Sequence, residues 1–311
     1  MIYTVTFNPA IDYVVWTDRL EPGHINRARR EAIQLGGKGI NVSTMLMRLG
    51  VESVALGFVA GFTGQALETG LRRAGLRTEF IHLDRGTTRI NVKVKGKEET
   101  EINGIGPDIG PEAVQALTDR LDRLKRGDIL VLAGSMPASL PEDTYGRVLA
   151  GLTGKGVRTV VDARGELLRG ALRHRPFLIK PNREELESLF GRTLETEEEI
   201  CACAAQLCRQ GAEHVLVSLA GEGAILLDGR GEVHRLAAPG GQVRNSVGAG
   251  DAMVAGFLAG WLGTGSYEQA LRLGVAAGSA TAFSDAMASR EDVERVLAEL
   301  EKRPAERKIK K

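Results

Sequence analysis

Cysteine is scarce in this chain, with 3 among 311 residues, at positions 201, 203 and 208. All three fall in one predicted helix. Cys201 and Cys208 share a face but sit ~10 Å apart, too far to bridge, and Cys203 points elsewhere. A disulfide framework is excluded, and so is a thiolate metal centre without further partners; small helix residues in a reducing compartment fit instead. Neither sign of charge is in excess: 41 basic residues face 40 acidic ones, a formal net charge of +1. Bulk electrostatics therefore point away from nucleic acid. No apolar run is long enough to span a bilayer. The N-terminal stretch Met1–Phe7 reads as a strand and lacks the charged-then-apolar order of a signal peptide, so a cytoplasmic location is expected. The 5 histidines are scattered and suggest no metal site. A Walker loop is missing, as is a Gly-x-Gly-x-x-Gly opening a helix, which weakens a dinucleotide dehydrogenase. There is no internal repeat, linker or low-complexity segment.

What the chain has is glycine, 39 residues of it, gathered in turns that run into helices. Asn245-Ser246-Val247-Gly248-Ala249-Gly250-Asp251 leads into an apolar helix. The start of a helix carries unpaired N–H groups and a partial positive charge, so the turn can cradle an anion. Asp251 at its lip is a poor anion ligand but a well-placed base. The same residues also fit a tight turn in which Asp251 merely favours the helix dipole. Gly36-Gly37-Lys38-Gly39-Ile40-Asn41 is a second glycine turn feeding a helix, marked by Val42, Met45, Leu46 and Leu49. Ser218-Leu219-Ala220-Gly221-Glu222-Gly223 is a third, after a strand; it either lies along a nucleotide or forms a bend.

From Gly110 onward, helices alternate with short apolar strands at 128–133, 158–161, 177–179 and 214–217. This predicts an α/β fold with a parallel sheet covered on both faces. Polar residues collect where those strands end: Ser135, Asp162, Lys180 and Ser218. Ligands of open α/β sheets bind at that edge. Asn182 and Glu185 fit a capping box, and the same geometry could hold the water shell of Mg²⁺. In Thr88–Lys95, Ile90, Val92 and Val94 take one face while Arg89, Asn91, Lys93 and Lys95 take the other. With a strand returning to Asn103, this is a half-buried hairpin whose cationic face either meets water or roofs a site for a negatively charged substrate. Arg27, Arg29 and Arg30 read as a solvated strand or loop edge. The small residues Ala276–Ala280 permit close packing against the sheet or a flat ring.

Gly36-Gly37-Lys38-Gly39 with Asn41, and Asn245 to Asp251, together resemble the two signatures of the ribokinase-like (PfkB) carbohydrate kinases. Lys180-Pro181-Asn182-x-x-Glu185 and the loop 218–223 match as well, so the resemblance spans the chain to about Glu301. It implies a three-layer α/β/α sandwich with a mostly parallel sheet and a small β lid built from segments near 10–30 and 88–104, forming one domain over 1–301. A basic tail, 302–311, is expected to be solvated.

The resemblance also implies roles. Asp251 would take the proton of a sugar hydroxyl, with the amides of Gly248, Ala249 and Gly250 holding the transferring phosphoryl group. An ordinary Asp pKa of ~3.9 would suffice for that base. Asp12, Gly37, Lys38 and Asn41 would grip the sugar, with Asn91, Asn103 and Ser135 nearby. Arg89, aided by Lys38 and Arg27, would hold a phosphate already on the sugar. Lys180, Asn182 and residues Ser218, Leu219, Ala220, Gly221, Glu222 and Gly223 would bind ATP, joined by Gly250. Asn182 and Glu185 would order Mg²⁺, and a monovalent cation such as K⁺ belongs to the same expectation. The implied reaction is ATP-dependent phosphorylation of fructose 1-phosphate at C6, with tagatose 6-phosphate or fructose 6-phosphate as alternatives. A non-catalytic sugar-phosphate sensor needs neither Asp251 nor Glu185. A homodimer through the lid is the expected assembly.

Overall fold

The short apolar strands pair in parallel, as their alternation with helices requires. This computed structural model describes residues 1–141 and 143–302. The basic tail beyond Lys302 lies outside the described residues. A 10-stranded sheet is built from β1 (Ile2–Thr6), β4 (Ser53–Ala60), β5 (Arg77–Thr78), β6 (Ile81–Leu83), β9 (Ile129–Ala133), β10 (Arg158–Asp162), β11 (Leu178–Ile179), β12 (His214–Ser218), β13 (Ala224–Leu227) and β14 (Val233–Leu236). Its order is β14-β13-β12-β11-β10-β9-β1-β4-β5, with β6 paired to β4. Pairing is parallel except at β12–β13 and β13–β14. A second sheet of 4 strands has the order β3-β2-β7-β8, from β2 (Ala10–Trp16), β3 (Arg30–Gly36), β7 (Arg89–Lys95) and β8 (Glu99–Asn103).

Helices cover both faces of the large sheet. On one side lie α3 (Pro111–Leu121), α4 (Thr144–Gly151), α5 (Gly165–Leu172), α6 (Arg183–Phe190) and α7 (Glu197–Gln210), which bury Leu117, Tyr145, Leu168, Leu186 and Leu207 against Leu130, Leu132 and Val215. On the other side α1 (Lys38–Arg48), α8 (Ala249–Thr264), α9 (Tyr267–Ala282) and α10 (Arg290–Glu301) bury Met45, Phe257, Val275 and Val293 against Val131 and Val160. Burying each such side chain contributes ~1.5–3 kcal/mol. α2 (Gly61–Arg73) packs Leu67 and Leu71 with Ile11 and Ile40, where the small sheet joins the large one.

Small residues of α9 pack closely against α8. A Cβ at Gly256 would lie 2.5 Å from the Leu273 carbonyl, and one at Gly260 would lie 2.9 Å from Ala270 Cα. α3 stops at Leu121, although Leu124 stays buried. The lid reaches further than 30: β3 continues to Gly36 and delivers the chain straight into α1. In the hairpin, the polar face is the covered one. Asn91 and Lys93 are buried, while Ile90 on the opposite face is 43% exposed and Ile102 64%.

Candidate active site

The C-terminal ends of β1, β9, β10, β11 and β12 open into a cavity of ≈ 950 Å³, roofed by β2 and β7. Two helix starts point at it, each enabled by a glycine. Gly37 has φ 129, and a Cβ there would sit 2.5 Å from Thr6 Cγ2, so only glycine lets α1 begin this close to β1. Gly248, with φ 80, takes a left-handed conformation before α8.

Asp251, in the first turn of α8, is 4% exposed and lines the cavity. Asn41 Nδ2 donates to its Oδ2 at 2.8 Å. Burial first, and the negative charge of Asp162 second, push the Asp251 carboxyl up to about 6. The expectation of an ordinary aspartate is thus corrected. The group is still a carboxylate at neutral pH, and more basic for being buried.

Asp162, at the end of β10, is the hub beneath it. Its Oδ1 lies 3.2 Å from Lys38 Nζ and 3.6 Å from Lys180 Nζ, while its buried Oδ2 has no hydrogen-bond partner. Burial opposes its charge, but Lys180 and then Lys38 outweigh that and hold it below the usual carboxylate range. Burial alone would lower Lys38; Asp162, then Asp251, overcome this and raise it. A carboxylate that fixes two ammonium groups beside a base is a means of presenting positive charge to an anion at a fixed place.

The lid supplies polar groups from above. Asn91 Nδ2 donates to Asp12 Oδ1 at 2.7 Å, and the Asn91 carbonyl accepts from the Gly104 amide at 3.1 Å. Lys93 Nζ lies 3.4 Å from Asp12 Oδ2. Arg89 reaches the cavity with a buried Nε that has no partner. A guanidinium so placed suits a phosphate.

Most of the residues expected from sequence converge here. Asp12, Gly37, Lys38, Asn41, Arg89, Asn91, Ser135, Lys180, Asn182, Glu185, Ser218, Gly248, Gly250 and Asp251 all line this cavity. Others do not. Ala249 spends its amide on the Ser246 carbonyl at 3.2 Å, so it is taken out of the anion cradle. Arg27 sits in the exposed loop between β2 and β3, and Asn103 is exposed at the end of β8. Beyond Ser218 the third glycine loop leaves the cavity: Leu219 is buried in the core, Ala220–Glu222 is one 3₁₀ turn, and Glu222 pairs with Arg183 at 2.8 Å. Gly223 has φ 100 and abuts the Leu236 carbonyl, so its glycine is explained by close packing. Asn182 and Glu185 form the capping box of α6, with Arg164 Nε 2.7 Å from Glu185 Oε1. Asn8, Asp162 and Arg164 were given no site role from sequence, yet all three line the cavity. Asp162 had a signal: it ends a parallel strand as Lys180 and Ser218 nearly do. Among the described residues the cysteines form no disulfide, as their spacing requires.

The description of the pfkB family carbohydrate kinases matches residues 4–291. This chain belongs to that family. Among its PfkB relatives, the 1-phosphofructokinase of Bacillus subtilis is 48% identical over 300 residues, covering 96% of this chain and 98% of that protein. The D-tagatose-1-phosphate kinase of Bacillus licheniformis is 39% identical over 285 residues, covering 91% and 93%. Phosphofructokinase-2 from Escherichia coli, solved in complex with substrates and products, has a TM-score of 0.92 at 28% identity and covers 97% of this chain and 99% of that one. The PfkB fold of this chain is therefore the ribokinase-like α/β sandwich with a separate small sheet. Among the described residues, no helix is long and apolar enough to cross a membrane.

Proposed function

We propose that this PfkB kinase transfers the γ-phosphoryl group of ATP to the C6 hydroxyl of fructose 1-phosphate, giving fructose 1,6-bisphosphate and ADP in the cytoplasm. The observation that carries the reading is the buried Asp251 carboxylate at a glycine-opened helix start, between the polar lid and two lysines. Asn41 holds Oδ2, so Oδ1 is the oxygen offered to the sugar hydroxyl. As the new O–P bond forms and the bond to ADP breaks, the hydroxyl proton passes to Asp251. The amides of Gly250 and Asp251, which have no intrahelical acceptor, face the developing charge together with Lys38 and Lys180. Asp12 and Asn91 orient the sugar, and Arg89 takes its existing phosphate. Ser218 and Asn182 border the nucleotide.

Magnesium suits hard oxygen donors. The unpartnered Asp162 Oδ2 and the Glu185 carboxylate, both on this cavity, fit that need. Glu185, with Asn182 acting through water, would hold Mg²⁺, which when bound neutralises phosphate oxygens. Comparing rates in potassium and sodium salts tests for a monovalent cation. A second copy covering the outer face of the lid completes the reading.

Asp251→Asn should lower kcat by about 10²–10⁴-fold with little change in nucleotide affinity, the usual contribution of a general base. Retention of near wild-type turnover would sink the assignment. A second reading is favoured by the tagatose-1-phosphate relative: tagatose 1-phosphate as acceptor, differing from fructose 1-phosphate at one carbon. Comparing kcat/KM for these two sugars and for the 6-phosphates of fructose and tagatose decides the substrate.

A further inference from the structure

Behind α5 and α7, away from the residues just described, lies a second hollow of ≈ 960 Å³, about as large as the first. Its wall is made by the C-terminal end of α5, the second half of α7 and the turn between β13 and β14. Each contributes arginine: Arg173 and Arg175 follow α5, Arg209 ends α7, and Arg230 tops the turn. Among the described residues, none of these four forms an ion pair with a carboxylate, whereas Arg164, Arg183 and Arg235 on neighbouring segments all do. The hollow holds only two acids against these four arginines. Asp228 is buried; its Oδ1 accepts from the amides of Arg230 and Glu232 at 2.9 and 3.0 Å, and its Oδ2 lies 3.0 Å from His234 Nε2. Glu213 has its carboxylate 3.6 Å from His214 Nε2. Between the arginines the floor is apolar, from Leu172, Ala205, Leu227 and Val233.

Four cations against two acids leave this concave, apolar-floored space net positive, which favours an anion. The shape is that of a small-molecule site rather than a face for a macromolecule. Guanidinium groups present paired donors that match phosphate oxygens, and they stay charged at any working pH. We propose that this hollow binds a small molecule carrying two or more phosphate groups, at a site separate from the catalytic cavity.

Isothermal titration calorimetry on the full chain tests this without any turnover, so its outcome is independent of the substrate assignment. The probes are inorganic tripolyphosphate, fructose 1,6-bisphosphate and ATP. The proteins are the wild type, Arg175→Ala/Arg209→Ala, and Arg230→Ala, which alters a different element; all three side chains are exposed, and circular dichroism checks the fold. In the wild type at least one probe should show a binding step that both variants weaken by about tenfold or more and that salt weakens. Loss of that step for ATP alone assigns a nucleotide, for the bisphosphate alone a sugar, and for all three the phosphates themselves. Superimposable titrations of wild type and both variants with all three probes would overturn the proposal.

Discussion

Burial raises the Asp251 carboxyl from 3.8 to about 6, with Asp162 adding to the shift. The base must be ionised to accept a proton, so kcat/KM should rise with pH along a limb with an apparent pKa near 6 and level off above it. A pH–rate profile flat down to pH 5 would contradict this. The same shift fixes the sign of its effect on stability. Between pH 3.8 and about 6 the unfolded chain releases this proton while the folded one keeps it. Stability contributed by this group is therefore full below that window and lost as pH rises through it. Asp251→Asn should accordingly stabilise the fold at pH 7 by roughly 1–3 kcal/mol, read as a higher melting temperature, alongside its loss of kcat. Asp162→Asn should do the reverse. It leaves Lys38 and Lys180 beside a neutral amide, costing about 3 kcal/mol or more by thermal melts. In whatever remains folded, the acid limb should move to lower pH, because the repelling charge next to Asp251 has gone. At this scale the sequence was legible for Asp251, Lys38 and Arg89, whose neighbours in the chain carry the signal. Asp162 was legible only as one of four polar residues at the strand ends, because its role lies in two lysines distant in the chain that only the sheet edge assembles.

Elements whose ends carry their own chemistry were readable. The capping box at Asn182 and Glu185 starts α6, Gly191 with φ 65 ends it, and α7 and α10 each begin on a capping box too. Strands of two or three residues, such as β5 and β6, have no period to read, and β3 hides behind charged, exposed positions. The hairpin shows how alternation gives two faces without saying which is covered: the sequence left open whether the cationic row met water or roofed a site, and Asn91 and Lys93 are the covered ones. The α8–α9 pair depends on absent side chains. Gly256→Ala would place its methyl 2.5 Å from the Leu273 carbonyl and 2.9 Å from Ala277 Cβ. Overpacking there should cost about 1–3 kcal/mol, read as a lower denaturation midpoint. Unchanged stability would mean the two helices can part without loss.

For the molecule as a whole, the order of the large sheet follows from its parallel crossovers, and the three layers from the two apolar faces of its strands. The lid is the exception, since its strands come from segments separated by more than fifty residues and no local pattern tells that β2 pairs with β7. Its outer face carries a row in register, Ile33, Tyr13, Val92 and Ile102, of which Ile33 is 67% exposed. An apolar row of this kind marks a contact surface. If a second copy covers it, Ile33→Asp/Ile102→Asp should halve the mass seen by light scattering, while the large sheet and its thermal transition persist. An unaltered mass would remove the lid from the assembly.

In β2 and β7, neighbouring residues point opposite ways, so Asp12 and Asn91 belong to the same backbone as Tyr13 and Val92. If Asp12 and Asn91 seat the sugar and a second copy covers the opposite face, as proposed, the two cannot move independently. Simple dilution should therefore weaken the grip on the acceptor: at low enzyme concentration its KM should climb, and adding back inactive Asp251→Asn protein should bring it down again.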